Sequence, residues 1–154
     1  NIRIHLRILG SGTIERQLKT MANDVSTAQI DFDGEASLSE VRAAMRWSHL
    51  VIVPSLVTDR WMEQWGRVPV EAILSGRPCL VSSSGELPHI SPIPATVFTA
   101  GKSSELAERL LQLTADTRML QDVANEQFSS IQRLDTGLLA MQLNNLWAQA
   151  LEIR

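Results

Sequence analysis

Short apolar segments alternate with segments of helical length along the chain, and this order strongly limits the folds that it can adopt. Apolar segments of strand length lie at residues 2–9, 30–32, 49–55, 78–82 and 95–100. Apolar residues spaced for one helix face, together with capping residues, favour helices at 13–23, 37–47, 66–74, 103–115, 117–132 and 137–152. Strands that alternate with helices predict βαβ units and a mostly parallel sheet.

The predicted fold class is therefore α/β, a doubly wound, Rossmann-like parallel sheet flanked by helices in three layers (αβα). The chain has 154 residues, which is the usual size of one domain. We predict a single domain over residues 1–154, ending in a C-terminal helix within 137–154. Residues 83–94 are predicted as a turn segment, and Ser37 with Glu40 as a capping box that starts the second helix.

Composition and charge exclude several classes of function. The chain has 14 basic and 17 acidic residues, so nothing predicts a nucleic-acid partner. Its apolar segments are too short to span a bilayer, and no signal peptide is visible. Membrane association of a longer protein would have to come from outside this chain. The single cysteine, Cys79, is expected to be a small core residue in a reducing compartment, which predicts a cytoplasmic location. Because the chain begins with Asn1 and enters a strand at once, we expect a fragment of a longer protein.

Two acids follow the apolar segment at residues 49–55, at the strand end where ligands bind in this class of fold. Glu63 and Glu71 have seven residues between them. Pro69 is tolerated in a first helical turn, which places Glu63 on the loop and Glu71 in the second turn. The helix N-terminus near Gly66 attracts phosphate, and a glycine lets an anion approach the backbone. Phosphate flanked by acids that bind hydroxyls suits a sugar phosphate, although spacing alone favours a solvated surface loop.

The residues around these acids resemble a known family. The segment EQWGRVPVEA, from Glu63 to Ala72, resembles the E-x-F-G-x-x-x-x-E-A motif of the retaining glycosyltransferases of the GT-B fold, glycosyltransferase family 4. Four further segments resemble that family in the same order, namely ILGSG, IDFDG, HLVIVPS and SGRPCLVSSSGELPHI. The resemblance thus extends over nearly the whole chain, which makes it far more specific than the motif alone.

The resemblance implies the C-terminal, donor-binding half of a two-domain enzyme that moves a sugar from a nucleotide-diphosphate sugar to an acceptor. It implies a nucleotide sugar as partner, a missing N-terminal acceptor-binding domain, no metal and no other cofactor. Glu63 would contact the transferred sugar as the catalytic residue, and Glu71 would hold the ribose hydroxyls. We expect the isolated chain to be inactive, since the acceptor-binding half is absent from it.

Further donor-binding residues follow from the same resemblance. The backbone amides expected to hold sugar hydroxyls and the diphosphate are those of Gln64, Trp65, Gly66 and Arg67. Gly34 and Glu35 would line the base pocket. Ser55, at the end of a strand, and His89, in the loop after the next strand, are additional candidates for ligand contact.

The chain departs from the family pattern at several points. Trp65 replaces the usual phenylalanine, and the sequence Ser-Gly-Glu at residues 84–86 replaces Gly-Gly. The family's phosphate-clamping arginine and lysine come from an earlier strand and loop, and neither Arg3 nor Arg7 matches their pattern. The chain therefore lacks an identified source for these basic groups.

Alternatives to this interpretation remain open. Asp31-Phe32-Asp33 spells the Asp-x-Asp motif of metal-dependent glycosyltransferases, but alternating acids at a strand end are common and a cation site needs several convergent oxygens. Trp61 either covers the sugar site or caps a core edge, and the second is slightly favoured. Two other functions fit the same residues: a non-catalytic sugar-nucleotide-binding or scaffolding module, and half of a GT-B-fold epimerase.

Overall fold

A computed structural model describes residues 3–132, which fall into two compact units. The first unit spans Asn1–Trp47 and the second spans Ser48–Arg154. The single domain over residues 1–154 remains a prediction. The helix predicted at 137–152 lies outside the described residues.

The first unit is one βαβ motif followed by a helix. Its elements are β1 (Ile4–Leu9), α1 (Glu15–Asn23), β2 (Ala28–Gly34) and α2 (Leu38–Trp47). β1 and β2 pair in parallel, from Ile4 beside Ala28 to Leu9 beside Gly34. β2 is longer than the strand predicted at 30–32 because its backbone pairs with β1 beyond its apolar residues. Strand pairing, and not side-chain hydrophobicity, therefore sets its length.

The predicted capping box starts α2. The backbone N–H of Ser37 donates to Glu40 Oε2 at 2.7 Å, and the N–H of Glu40 donates to Ser37 Oγ at 3.4 Å. The Ser37 hydroxyl also lies 2.6 Å from the same carboxylate oxygen. These hydrogen bonds, the one from the hydroxyl above all, hold the pKa of Glu40 below its usual value. The local sequence is thus sufficient to begin this helix.

Replacing Ser37 by alanine is expected to destabilise α2 by about 1 kcal/mol, because the first turn loses its side-chain acceptor. Amide hydrogen exchange along α2 should report the loss. Ser39→Ala is the matched control, since the Ser39 hydroxyl contacts only that of Ser37 among the hydrogen bonds of this turn. Equal exchange rates in the two variants would contradict the prediction.

The second unit contains the other parallel sheet. Its elements are β3 (Val51–Val53), α3 (Arg67–Leu74), β4 (Cys79–Ser82), α4 (Leu87–Ile90), β5 (Val97–Phe98), α5 (Ser103–Thr114) and α6 (Thr117–Ile131). The strands pair in parallel in the order β3-β4-β5. The predicted α/β class with parallel strands is confirmed, and the described strands form one sheet in each unit.

Three elements differ from prediction in the second unit. β3 ends before Pro54, because proline has no N–H for strand pairing. The strand predicted at 95–100 is reduced to Val97–Phe98, since Pro94–Thr96 form a 3-10 turn. The predicted turn segment 83–94 contains α4, which at four residues is too short to show a helical period.

β4 is the centre of the second unit, and all its residues are buried. The core around it contains Leu80, Ile93, Phe98, Leu113 and Val123. Such complete burial is typical of a parallel strand covered on both faces. The loop that follows β4 therefore starts from a strand held firmly on all sides.

A buried glutamine attaches α6 to β4. Gln127 accepts from the N–H of Cys79 at 2.9 Å and donates to its carbonyl at 2.7 Å. Its amide nitrogen also lies 2.6 Å from Ser91 Oγ. Cys79 is fully buried, as predicted for a small core residue, and burial raises the pKa of its thiol.

Candidate functional site

The loop from β3 to α3 starts at the carboxyl ends of two adjacent strands. Ser55, half-buried just after β3, accepts a hydrogen bond through its carbonyl from the Ser82 hydroxyl at 2.6 Å. Ser82 is the last residue of β4. The contact brings the two strand ends together at the edge where ligands bind in open parallel sheets. Ser55 thus lies where the sequence places it, with its carbonyl already engaged.

Glu63 lies on the loop and Glu71 in the second turn of α3, as predicted. Pro69 is in the first turn, where its missing N–H costs nothing. Glu63 Oε1 accepts from the backbone N–H of Gly66 at 3.0 Å. The carboxylate of Glu63 therefore sits at the N-terminus of α3 and satisfies one of the helix-end donors.

Gly66 is tightly packed, whereas the sequence suggested that its missing side chain lets an anion approach the backbone. Its φ of 68° lies in the left-handed region, and an added Cβ would meet Leu87 Cδ2 at 2.8 Å and Pro69 Cγ at 3.1 Å. Gly66 is buried in this packing. The missing side chain therefore lets α3 pack against α4, and close approach of an anion to this backbone remains a prediction.

A second glycine supports the loop and was missed by the sequence interpretation. Gly85, between β4 and α4, has a φ of 53°, and a Cβ there would lie 1.8 Å from the carbonyl oxygen of Glu63. The N–H of Glu86 donates to that same oxygen at 3.2 Å. The backbone of Glu63 is thus held against the loop after β4. The family-like segment SGRPCLVSSSGELPHI contains Gly85 and is the signal that could have drawn attention to it. The contact with Glu63 was not predictable, because it joins residues far apart in sequence.

Arg67 and Glu71 lie one turn apart on α3 and form a weak ion pair. Arg67 Nε is 3.8 Å from Glu71 Oε1, and the arginine side chain is 80% exposed. An exposed pair at this distance contributes little to stability. Both groups can therefore turn towards a ligand at little cost to the fold.

Large apolar side chains are exposed on the same loop. Trp61, Met62 and Trp65 are 51%, 51% and 53% exposed. Both interpretations of Trp61, as a cover for the sugar site and as a cap on a core edge, therefore remain predictions. An open depression of about 420 Å³ lies here, lined by Arg60, Trp61, Met62, Glu63, Gln64, Trp65, Gly66 and Arg67. The structure thus groups the predicted amide-donating residues with Glu63, and adds Arg60 to them.

The other candidate residues have separate positions. His89 is exposed on α4 and not in a loop, with its Nδ1 3.2 Å from Glu86 Oε2. Gly34 and Glu35 belong to the first unit. Gly34 ends β2 and its carbonyl accepts from the N–H of Gly10 at 2.7 Å. Their role in base binding remains a prediction.

The Asp-x-Asp segment is occupied by basic partners. Asp31 Oδ2 lies 2.6 Å from His5 Nε2, and Asp33 pairs with Arg7 at 2.8 Å. The hydrogen bond with His5 is the main cause that holds the pKa of Asp31 below its usual value. Each carboxylate thus has its own partner on β1, which does not favour the metal-binding hypothesis. Arg7 also lies over the ring of Trp47, with its guanidinium carbon 5.2 Å from the ring centre.

Neither a metal-binding cluster nor a membrane-spanning helix occurs within residues 3–132. In this part of the chain no group of three or more His, Cys, Asp or Glu side chains could hold a metal ion. No helix there combines the length and apolar character needed to cross a membrane.

Solved structures share this fold at low sequence identity. Sucrose-phosphate synthase from Thermosynechococcus elongatus has a TM-score of 0.72 and 19% identity to this chain. The match covers 97% of this chain and 39% of the synthase. HepE from Anabaena, solved in complex with UDP, has a TM-score of 0.72 and 20% identity, and the match covers 95% of this chain and 41% of HepE. A HepE complex with UDP-glucose has a TM-score of 0.70 and 22% identity, covering 93% and 40%. This chain thus spans well under half of the length of each of these proteins.

No curated protein sequence matches the chain. The family model described as "Glycosyl transferases group 1" matches residues 1–116, which is most of the chain. The parallel βαβ architecture and the GT-B glycosyltransferase neighbours agree with that match. The chain therefore belongs to the glycosyl transferases group 1 family and has the fold of a GT-B glycosyltransferase domain.

Proposed function

We propose that the chain is the donor-binding half of a retaining glycosyltransferase, which moves a sugar from a nucleotide-diphosphate sugar to an acceptor. The observation that carries the proposal is the placement of the Glu63 carboxylate at the N-terminus of α3, with Glu71 in the second turn of the same helix. A donor of this kind has a diphosphate between two sets of hydroxyls. The helix end suits the diphosphate, and each acid suits one set of hydroxyls.

Cleavage of the anomeric carbon–oxygen bond leaves positive charge on the sugar and negative charge on the diphosphate. Glu63 is already held at the helix end by the N–H of Gly66, so its carboxylate can face the developing positive charge without reorganising. The amides of Arg67 and Val68 have no acceptor within the helix and would stabilise the leaving diphosphate. We propose that Arg67 adds its charge there, so that transfer proceeds without a metal ion.

The ligands of a structurally similar protein support the nucleotide sugar as ligand. HepE structures were solved with UDP and with UDP-glucose, and this chain covers 40–41% of those proteins. We propose that the acceptor-binding half lies outside this chain and that the chain alone transfers nothing. Cytoplasmic location remains the expectation from its single cysteine.

Replacing Glu63 by glutamine should separate sugar recognition from nucleotide binding. We expect the full-length variant to bind UDP unchanged and UDP-glucose about 10–100-fold more weakly, because a hydrogen bond to a charged group is worth about 1.5–3 kcal/mol. The glutamine oxygen can still accept from Gly66, so the loop should stay in place. Isothermal titration calorimetry with UDP, GDP and ADP, alone and as their glucose conjugates, measures both effects.

That titration, together with analysis of the products formed from UDP-glucose in the presence of an acceptor, distinguishes the candidate functions. If no nucleotide binds to the wild-type protein, the donor-binding role is wrong. If nucleotide sugars bind but no sugar reaches an acceptor, the protein is a binding or scaffolding module. Release of an altered free sugar or sugar nucleotide, with no glycoside formed, would identify an epimerase.

A further inference from the structure

The exposed side chains of the β3–α3 loop are unusual in kind and in closeness. Trp61, Met62 and Trp65 fall within five consecutive residues, and each is about half exposed. Single exposed apolar residues are ordinary on protein surfaces, but a contiguous group marks a surface that binds something. The two tryptophans strengthen the indication of a binding surface, since a tryptophan ring contributes a large contact area when a ligand covers it.

The backbone beneath these rings is held in place. Thr58 and Trp61 pair with each other, from the N–H of Thr58 to the carbonyl of Trp61 at 2.9 Å and from the N–H of Trp61 to the carbonyl of Thr58 at 3.3 Å. The carbonyl of Glu63 is packed against Gly85, and Gly66 is packed against Leu87. The loop is therefore anchored before, between and after the two tryptophans, while their rings remain exposed.

The other residues that line the depression suit a sugar. They include Arg60, Glu63 and Gln64, whose side chains end in a guanidinium, a carboxylate and an amide. A pyranose ring has apolar C–H faces and hydroxyls around its edge. Aromatic rings cover such faces, and planar carboxylate, amide and guanidinium groups bind neighbouring hydroxyls.

A membrane surface fits the same residues less well. Binding to anionic lipid depends on clustered basic residues beside the apolar ones. In this loop, the charges of Arg60 and Arg67 are balanced by those of Asp59 and Glu63. The mixture of charges therefore favours a neutral, hydroxyl-rich ligand.

We infer that Trp61 and Trp65 form a stacking platform for a pyranose ring. This inference rests on the proposed function, which places a sugar at this loop. It adds that the rings of Trp61 and Trp65 contact the sugar directly. The ring can belong to the donor or to the acceptor, since both present the same chemistry. The experiment below separates the two sources.

The variants are Trp61→Ala and Trp65→Ala in the full-length protein, with Leu74→Ala as a matched control. Leu74 is an equally exposed apolar residue of α3 that does not line the depression. Each protein is titrated calorimetrically with UDP, with GDP and with their sugar conjugates. Each is also titrated with the methyl glycosides of glucose, galactose, mannose and N-acetylglucosamine, followed by the indole N–H signals in ¹H–¹⁵N spectra.

In both tryptophan variants we expect the affinity for the sugar conjugates, for the methyl glycosides or for both to fall about 5–10-fold. The affinity for the free nucleotide should be unchanged, and the Leu74 control should bind every ligand as the wild type does. Loss restricted to the sugar conjugates identifies the donor ring, and loss restricted to the methyl glycosides identifies the acceptor ring. If the tryptophan variants bind all conjugates and glycosides as the wild type does, the platform is wrong. Absence of nucleotide binding in the wild type would instead reject the proposed function, while the glycoside titration still tests the platform.

Discussion

An alanine at position 85 is expected to destabilise the second unit by about 3–5 kcal/mol, a size reached by few single substitutions. Two costs combine at this residue. Its left-handed backbone, with a φ of 53°, penalises any side chain by about 1–2 kcal/mol. The new Cβ would also lie 1.8 Å from the carbonyl oxygen of Glu63, so one of the two loops must move. Urea unfolding of the full-length protein, followed by circular dichroism, measures the change.

Gly76→Ala is the matched control for the Gly85 variant. Gly76 has a φ of 72°, but nothing lies within 4 Å of the position that its Cβ would take. Its substitution should therefore cost only the backbone penalty, about 1–2 kcal/mol. Similar losses in the two variants would mean that the contact between Gly85 and Glu63 has no energetic weight.

The Gly85 variant also tests how the candidate site is supported. Displacing the carbonyl of Glu63 moves the carboxylate that Gly66 holds at the start of α3. We therefore expect weaker UDP-glucose binding even at temperatures where the variant remains folded. Full sugar-nucleotide affinity in folded Gly85→Ala protein would show that the site does not depend on this loop contact.

Glutamine in place of Glu71 is expected to lower nucleotide affinity about 10–100-fold. The estimate comes from the loss of charged hydrogen bonds to ribose hydroxyls, worth about 1.5–3 kcal/mol. Stability should change little, because the only ion pair of Glu71 among the described residues is the weak one with Arg67 at 3.8 Å. Calorimetry with UDP and GDP measures the affinity, and the thermal midpoint checks the fold.

Glu108→Gln provides the control for the charge change, since it removes a carboxylate from the exposed face of α5. It should bind nucleotide as the wild type does. Wild-type affinity in the Glu71 variant would overturn the ribose-binding role. Glu63→Gln is expected to affect only the sugar conjugates. Comparison of the two variants therefore shows which acid binds the nucleoside end of the ligand and which binds the sugar end.

The state of Glu63 has a consequence for ligand binding. Its carboxylate occupies the N–H of Gly66, so that amide is not available to a ligand while the contact lasts. The donors left at the helix end for a diphosphate are the amides of Arg67 and Val68, since Pro69 has none. The predicted contacts of the Gly66 amide therefore require Glu63 to release it, whereas those of Arg67 do not.

Local features were predictable because they depend on neighbours in sequence. The capping box of Ser37 and Glu40 forms as predicted, since both groups lie within one helical turn. Pro69 places Glu71 in the helix and Glu63 before it for the same reason. Alternation of apolar segments with helices was sufficient for the α/β class, because strand and helix periods are local.

The tertiary structure alone decided how the loops are supported and which rings remain exposed. Gly85 meets Glu63, and Gly66 meets Leu87, across about 20 residues of chain that no periodic pattern relates. The exposure of Trp61 could not be predicted, because the sequence gives its hydrophobicity but not the residues that pack against it. By itself, the sequence determined the class of fold, the acids and the helix between them. Packing between distant segments determined where the backbone of Glu63 is held and left the tryptophans beside it exposed.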